Sequence, residues 1–270
     1  MYTKKYELVP EGNLFRIRAV KDFSNVKKGD LGGLVEDGLI LSHKGDCWIY
    51  DNAKVYGMCR ISENATIKDN AQVSGHAKIS ENARIEDNAQ VSGYAQVFRN
   101  AIVYDNATIS GNAHIMGFAR ISSNAIVYDN ATISGKSEVS GSAKVFDNAS
   151  ITGNAHVHGK AEVSGSAKVF DNAKVGEKSK LSGKAKVFGN ASLGGNTSAT
   201  KEVITFGNAF CYNITVTDNH IGTQFEQYLK NEWLNFSEEE IIEIGGNKLL
   251  EFWKIFKPMA EQLGLFNSVN

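Results

Sequence analysis

Three cysteines in 270 residues give no disulfide framework. A reducing compartment, the cytoplasm, is the expected one. No run of about 18 apolar residues occurs, so no membrane-crossing helix is expected, and no signal peptide is expected either. Neither sign of charge dominates, with 29 basic against 30 acidic residues and a net charge of −1. That balance excludes a duplex-DNA grip and an acidic mimic of DNA. Motifs that carry chemistry are missing too. There is no Gly-x-Gly-x-x-Gly after a strand, no Walker loop and no Gly-x-Ser-x-Gly elbow. His156-x-His158 offers two ligands, too few for a closed zinc site. The residues therefore assign no catalytic group, no metal and no cofactor.

What the sequence has in abundance is a six-residue unit. Gly45 to Gly194 holds 25 hexapeptides in unbroken register, such as Asp69-Asn70-Ala71-Gln72-Val73-Ser74. With each unit numbered one to six, position five is Val, Ile or Leu in every copy and position three is Ala in 21. Cys47 and Cys59 also stand at position three and read as small core residues; Cys211 is alone. Position one is Gly, Asp or Glu in 23 copies, and position two is Asn in 14. A period of six is neither helical nor a plain strand alternation. Positions three and five share a parity and point inward, while four and six point outward. Positions one and two turn the corner, where Gly and Asn tolerate positive φ. Three such walls close a triangular coil, and stacked coils pair every strand above and below. The expected fold is an all-β solenoid of about 8–9 triangular coils.

This pattern, in Val55 to Arg60 and its repeats, resembles the six-residue unit of the left-handed parallel β-helix of hexapeptide-repeat proteins. The left hand is what the resemblance implies; the spacing does not set it, and the general crossover rule favours the right. Phe15-Arg16-Ile17-Arg18-Ala19, Asp22-Phe23 and Lys28 to Gly33, leading into Gly45-Asp46-Cys47-Trp48-Ile49-Tyr50, look like a narrower group from bacteriophages and prophages. Ile214 to Ile221 and Glu232 to Ser237 are similar to segments of that group. The resemblance implies a phage accessory protein acting in the cytoplasm of an infected or lysogenic bacterium.

Residues 1–44 are expected to cap the 45–222 solenoid, with a strand at Leu14 to Val20 and a turn from Lys27 to Gly33. After Gly194 the pattern fades into one or two irregular coils. Residues 223–270 read as helical. Thr223 would cap a helix to about Asn235, and Ser237 to Glu240 form a capping box. Gly245-Gly246 would stop that helix, and a third would follow from about Asn247. Its apolar face, with Leu249, Phe252, Trp253 and Phe256, is expected to fold onto an outward strip of Phe170, Phe188 and Phe206.

Hexapeptide-repeat proteins include many acyltransferases, which the resemblance describes as using an outward His beside a protruding loop that holds coenzyme A. Here the repeats carry no insertion, and His43, His76, His114, His156, His158 and His220 read as surface histidines. Outward, central deviations are more informative. Phe98, Arg99, Tyr104, His114, Met116, Phe118 and Arg120 fall on adjacent coils, with Arg84 and Tyr128 nearby. An apolar, aromatic patch of this kind marks an interface. One reading is a contact between copies, with a homotrimer favoured. The sharper reading is a ligand site in which aromatics stack on a base while Arg84, Arg99, Arg120 and His114 meet phosphates. The leading expectation is a non-enzymatic binding protein that counters host defence by sequestering a nucleotide signal or blocking a host protein. A coenzyme A-dependent acyltransferase and a structural part of a virion are the alternatives.

Overall fold

The computed structural model describes residues 4–201, 203–209, 212–223 and 227–266; Cys211 lies outside them. The chain is an all-β parallel solenoid of about nine turns with two helices at its C-terminus. It divides into two compact units, Met1–Asn148 and Ala149–Asn270.

In the first unit, strands 18 residues apart pair in parallel: Arg84 with Ile102, Gln96 with His114, and Thr108 with Ile126. The second unit repeats the scheme, pairing Ser150 with Lys168 and His156 with Lys174. Each strand is only two residues long, positions four and five. The Ala at position three and the aliphatic at position five are buried in every coil, as at Ala107 and Ile109 (both 0% exposed). Small and branched side chains suit this bore, because three walls leave no room for more.

The corners differ from the expectation in one respect. Position one alone takes positive φ, and does so in all 25 copies, including Asp87 at 57° and Arg99 at 62°. The Asn at position two serves another purpose. Its side-chain amide donates to the Asn one coil on, as from Asn64 to Asn82 and from Asn82 to Asn100. An acid at position one is stabilised in parallel. The Asp69 carboxylate accepts the Asp87 N–H at 3.2 Å, and the Asp87 carboxylate accepts the Asp105 N–H at 3.1 Å. A left-handed backbone costs a non-glycine residue about 1–2 kcal/mol, which this bond offsets. Asp87→Ala keeps the strain and loses the bond, so a loss of about 0.5–1.5 kcal/mol is expected. Asp87→Gly loses the bond but also relieves the strain, so it should cost less than Asp87→Ala. Urea midpoints of the two variants check the order.

The N-terminal segment closes the first coil. β1 (Tyr6–Glu11) and β2 (Leu14–Ala19) form an antiparallel hairpin. The expected turn ends early, because Leu31–Val35 is a third strand, β3, antiparallel to β2 and parallel to Lys54–Val55. Its Gly32 and Gly33 lie against the first coil; a Cβ on Gly33 would meet the Ile49 side chain at 2.4 Å. Within the coils, each wall's carbonyls accept N–H groups from the coil before, as Ala65 accepts from Trp48. The first coil has no such predecessor. β3 supplies the Leu34 N–H to Ala53, and the buried Lys5 ammonium donates to the carbonyls of Cys47 at 2.8 Å and Gly45 at 3.2 Å. One side chain thus replaces two missing amides.

His43 adds a pH dependence to this cap. The Lys5 N–H donates to His43 Nδ1 at 3.2 Å, a bond only an unprotonated Nδ1 accepts. Burial, and then the Lys5, Lys4 and Lys21 charges, hold its pKa below the ordinary value. The unfolded chain therefore takes up this proton first as pH falls through about 6.5. The melting temperature is expected to drop between about pH 7.5 and about pH 5, and His43→Gln should flatten that slope.

The tail departs furthest from expectation. After Ser198–Ala199 no Val, Ile or Leu returns at position five, where Thr205, Cys211, Thr217 and Thr223 stand, although Gly207 and Ala209 still keep positions one and three. Ile204–Ala209, Tyr212–Val216, His220–Gly222 and Gln227–Leu229 form an antiparallel sheet instead of irregular coils. The expected helix from Thr223 is confined to α1 (Lys230–Asn235), since Gln227–Leu229 is a strand. α2 spans Glu238–Gln262. Ser237 caps it, accepting the Glu240 N–H at 3.2 Å and donating its own N–H to the Glu240 carboxylate at 2.8 Å. Gly246, at φ 74°, breaks α2 where the stop was expected. Its apolar face does not use the phenylalanine strip. Leu249, Phe252, Trp253 and Phe256 pack with Ile214, Val216, Ile221 and Trp233, because the tail's own sheet provides an apolar face. Phe170 and Phe188 stack on each other, 5.3 Å between centroids; the Phe206 side chain lies outside the described residues.

Candidate functional site

Strand register settles which outward residues share a wall in the first unit. Arg84, Ile102, Arg120 and Glu138 stand in one column. Gln96, His114 and Thr132 stand in the next, with Phe98 and Met116 beside them. Arg99 and Phe118 occupy the corner joining those two walls. Seven of the expected residues, Phe98, Arg99, Tyr104, His114, Met116, Phe118 and Arg120, thus gather about one corner. Tyr128 does not join them. It lies on the third wall and stacks on Phe146, 4.9 Å between centroids and 5° from parallel.

Phe118 is the centre of the patch. The side-chain ladder of Asn64, Asn82 and Asn100 runs up this corner, and the next residue in the column is Phe118. Its ring is 58% exposed. A phenyl ring cannot continue an amide ladder, so the ladder of this corner ends at Asn100. Arg120 lies over the Tyr104 ring, 5.4 Å to its centroid, and donates to the Tyr104 hydroxyl at 3.4 Å. That hydroxyl is the first cause of a raised Arg120 pKa, so the guanidinium stays charged. Arg84 is engaged by Glu86 at 2.5 Å, and Lys68 approaches the same carboxylate at 3.6 Å.

A shallow depression of about 280 Å³ opens beside Phe118, lined also by Asn100, Ile102, Arg120, Lys136 and Glu138. Lys136 and Glu138 were missed in the sequence. The signal was present, since each stands 18 residues beyond Phe118 and Arg120 respectively.

A second depression lies in the second unit. Gly176 and Gly194 are the two glycines at position six among the 25 repeats, and they fall on consecutive coils above His158. The His158 ring lies across Gly176 so closely that a Cβ there would sit 2.2 Å from Cε1. The resulting trough of about 360 Å³ is lined by Thr223, by Gln227 and Tyr228 of the antiparallel sheet and by Glu177. Sequence reading found no carboxylate near His158; Glu177 lines the same trough, and its carboxylate accepts the Gly195 N–H at 2.5 Å. Among the described residues, no three His, Cys, Asp or Glu side chains group as a metal site, and no helix is long and apolar enough to cross a membrane.

No family model matches the chain. Over 55 residues it is 42% identical to a protein of Escherichia coli (strain K12) described as the uncharacterized acetyltransferase YdcK. The match covers 20% of this chain and 17% of that relative's length.

Proposed function

We propose that this protein is a non-enzymatic binding scaffold whose patch around Phe118 holds a nucleotide-type ligand. The exposed Phe118 ring, breaking an amide ladder beside Arg120 and Lys136, carries this reading. An aromatic face suits a base, and the two cations, set against the one carboxylate of Glu138 in the same depression, suit phosphate. Phage origin and a role against host defence rest on the resemblance of the terminal segments. Half-buried Phe98 and Met116 make the adjoining wall suited to contact between copies, with a homotrimer favoured. Calorimetric titration with cyclic dinucleotides and ADP-ribose tests the ligand. Phe118→Ala should weaken a bound nucleotide about 10- to 100-fold, in keeping with ~1–3 kcal/mol for a stacked base. Absence of binding to all of them would reject the proposal.

The similarity to an E. coli acetyltransferase favours a second reading, a coenzyme A-dependent acyltransferase. Its test is direct. Acetyl-coenzyme A binding that is lost on replacing His114, His156 or His158 by Ala would support it, and no binding would exclude it.

A further inference from the structure

From the trough beside His158 and the lysines next to it, we infer a site for a small sugar phosphate, separate from the Phe118 patch. Position six is Ser in 10 of the 25 repeats and glycine only at Gly176 and Gly194. Losing two side chains in succession on one wall makes room for the His158 ring over Gly176 and leaves open space over Gly194, where a Cβ would meet nothing nearer than the Glu177 carboxylate at 3.6 Å. The exposed His158 imidazole lies over Gly176, and Tyr228 also lines the trough.

Glu177 and Gly195 also line a neighbouring depression of about 430 Å³, together with Gly159, Lys160, Lys178 and Asn196. Lys160 and Lys178 hold position two on consecutive coils, where an asparagine ladder would otherwise run. Asn154, Asn172 and Asn190 keep that ladder on another corner of the same coils. Two like charges one strand spacing apart cost stability rather than add to it. An anion between them would reverse that cost, and compact ammonium groups suit a phosphate.

The two depressions, joined at Glu177, differ in chemistry. The lysine side takes a dianion. The trough side presents a carboxylate, an imidazole and an aromatic ring, which accept hydroxyl hydrogens and cover the apolar face of a pyranose or furanose. A bare phosphate would meet Glu177 and be repelled by it; a ligand whose hydroxyls reach Glu177 would not. A phosphorylated sugar satisfies both halves, with its phosphate on Lys160 and Lys178 and its ring in the trough.

The test is calorimetric titration of the full chain with glucose 6-phosphate, ribose 5-phosphate, glucose and inorganic phosphate. At least one sugar phosphate should saturate, at least 10-fold tighter than inorganic phosphate, with glucose weaker still. The double change Gly176→Ser, Gly194→Ser restores the residue most used at position six, so the coils should keep their fold by circular dichroism. The change at Gly176 should push the His158 ring off the floor of the trough, the change at Gly194 should fill the space beside Glu177, and sugar-phosphate binding should be abolished. Lys160→Gln with Lys178→Gln should weaken the sugar phosphate at least 10-fold, and Phe118→Ala should leave it unchanged. Absence of saturation by either sugar phosphate would overturn the inference. So would binding that the serine pair leaves intact, or binding no tighter than that of phosphate alone.

Discussion

Ile109→Ala should destabilise the first unit by about 2–5 kcal/mol, near the upper end of that range. Ile109 is fully buried and stands between Val91 and Val127, its register partners one coil below and one above. Removing three carbons forfeits their transfer free energy and leaves a void. A core usually recovers part of the loss by closing in. Here the backbone is fixed by parallel hydrogen bonds to both neighbours, so the wall cannot move inward without stretching them. In a stacked repeat each coil depends on its nearest neighbours, so the damage should stay local. Hydrogen exchange should quicken first at the amides of residues 91, 109 and 127, with a lowered urea midpoint. Unchanged exchange at those amides would contradict a packed bore.

Trp233→Ala should cost about 3–5 kcal/mol and release the terminal helices. Trp233 is 1% exposed, its indole N–H donates to the Ile221 carbonyl at 2.6 Å, and its ring lies 4.8 Å from that of Trp253. Tyr228 and Phe236 meet it edge-on, at 5.9 and 5.6 Å. The truncation thus opens a large cavity and leaves a buried carbonyl without its donor. α1 has only six residues, too few to persist without packing. The expected result is loss of far-UV helical signal with the β signal retained. Trp233→Phe keeps a ring and loses the bond, so it should fall between the wild type and Trp233→Ala. Equal helicity in Trp233→Ala and the wild type would show that α2 does not depend on this ring.

Residues 45–194 were legible because one rule recurs there without interruption. Parity alone placed Ala107 and Ile109 inside and Phe118 and Arg120 outside. The role of the asparagines was not legible, because the same residue serves equally as a turn former and as a rung, and only the register separates the two. The tail was misread for a related reason. Its strands pair with neighbours in sequence rather than with copies 18 residues away, and short apolar runs such as Ile214 to Val216 fit either arrangement. Of the Phe118 patch, the residues within the regular units were predictable. Lys136 and Glu138 went unnoticed because each is ordinary in its own unit and becomes informative only when stacked on the coil before. The His158 trough was hidden differently, since its signal is two absent side chains, and Gln227 and Tyr228, which also line it, come from the sheet that sequence did not foresee.

The corner ladders act as a ruler with marks 18 residues apart. A duplication or deletion of that length inside the first unit would change the number of coils while returning every later residue of that unit to its own wall. An insertion of six residues would keep the bore filled, since each hexapeptide supplies the same inward pair, yet would rotate the later residues of that unit by one wall. Inserted between Arg99 and Phe118, it would carry Phe118, Lys136 and Glu138 away from Phe98 and Arg99 without unfolding the chain. Length variation among descendants of this protein should therefore favour whole turns wherever an outward site is under selection, and admit single hexapeptides where none is.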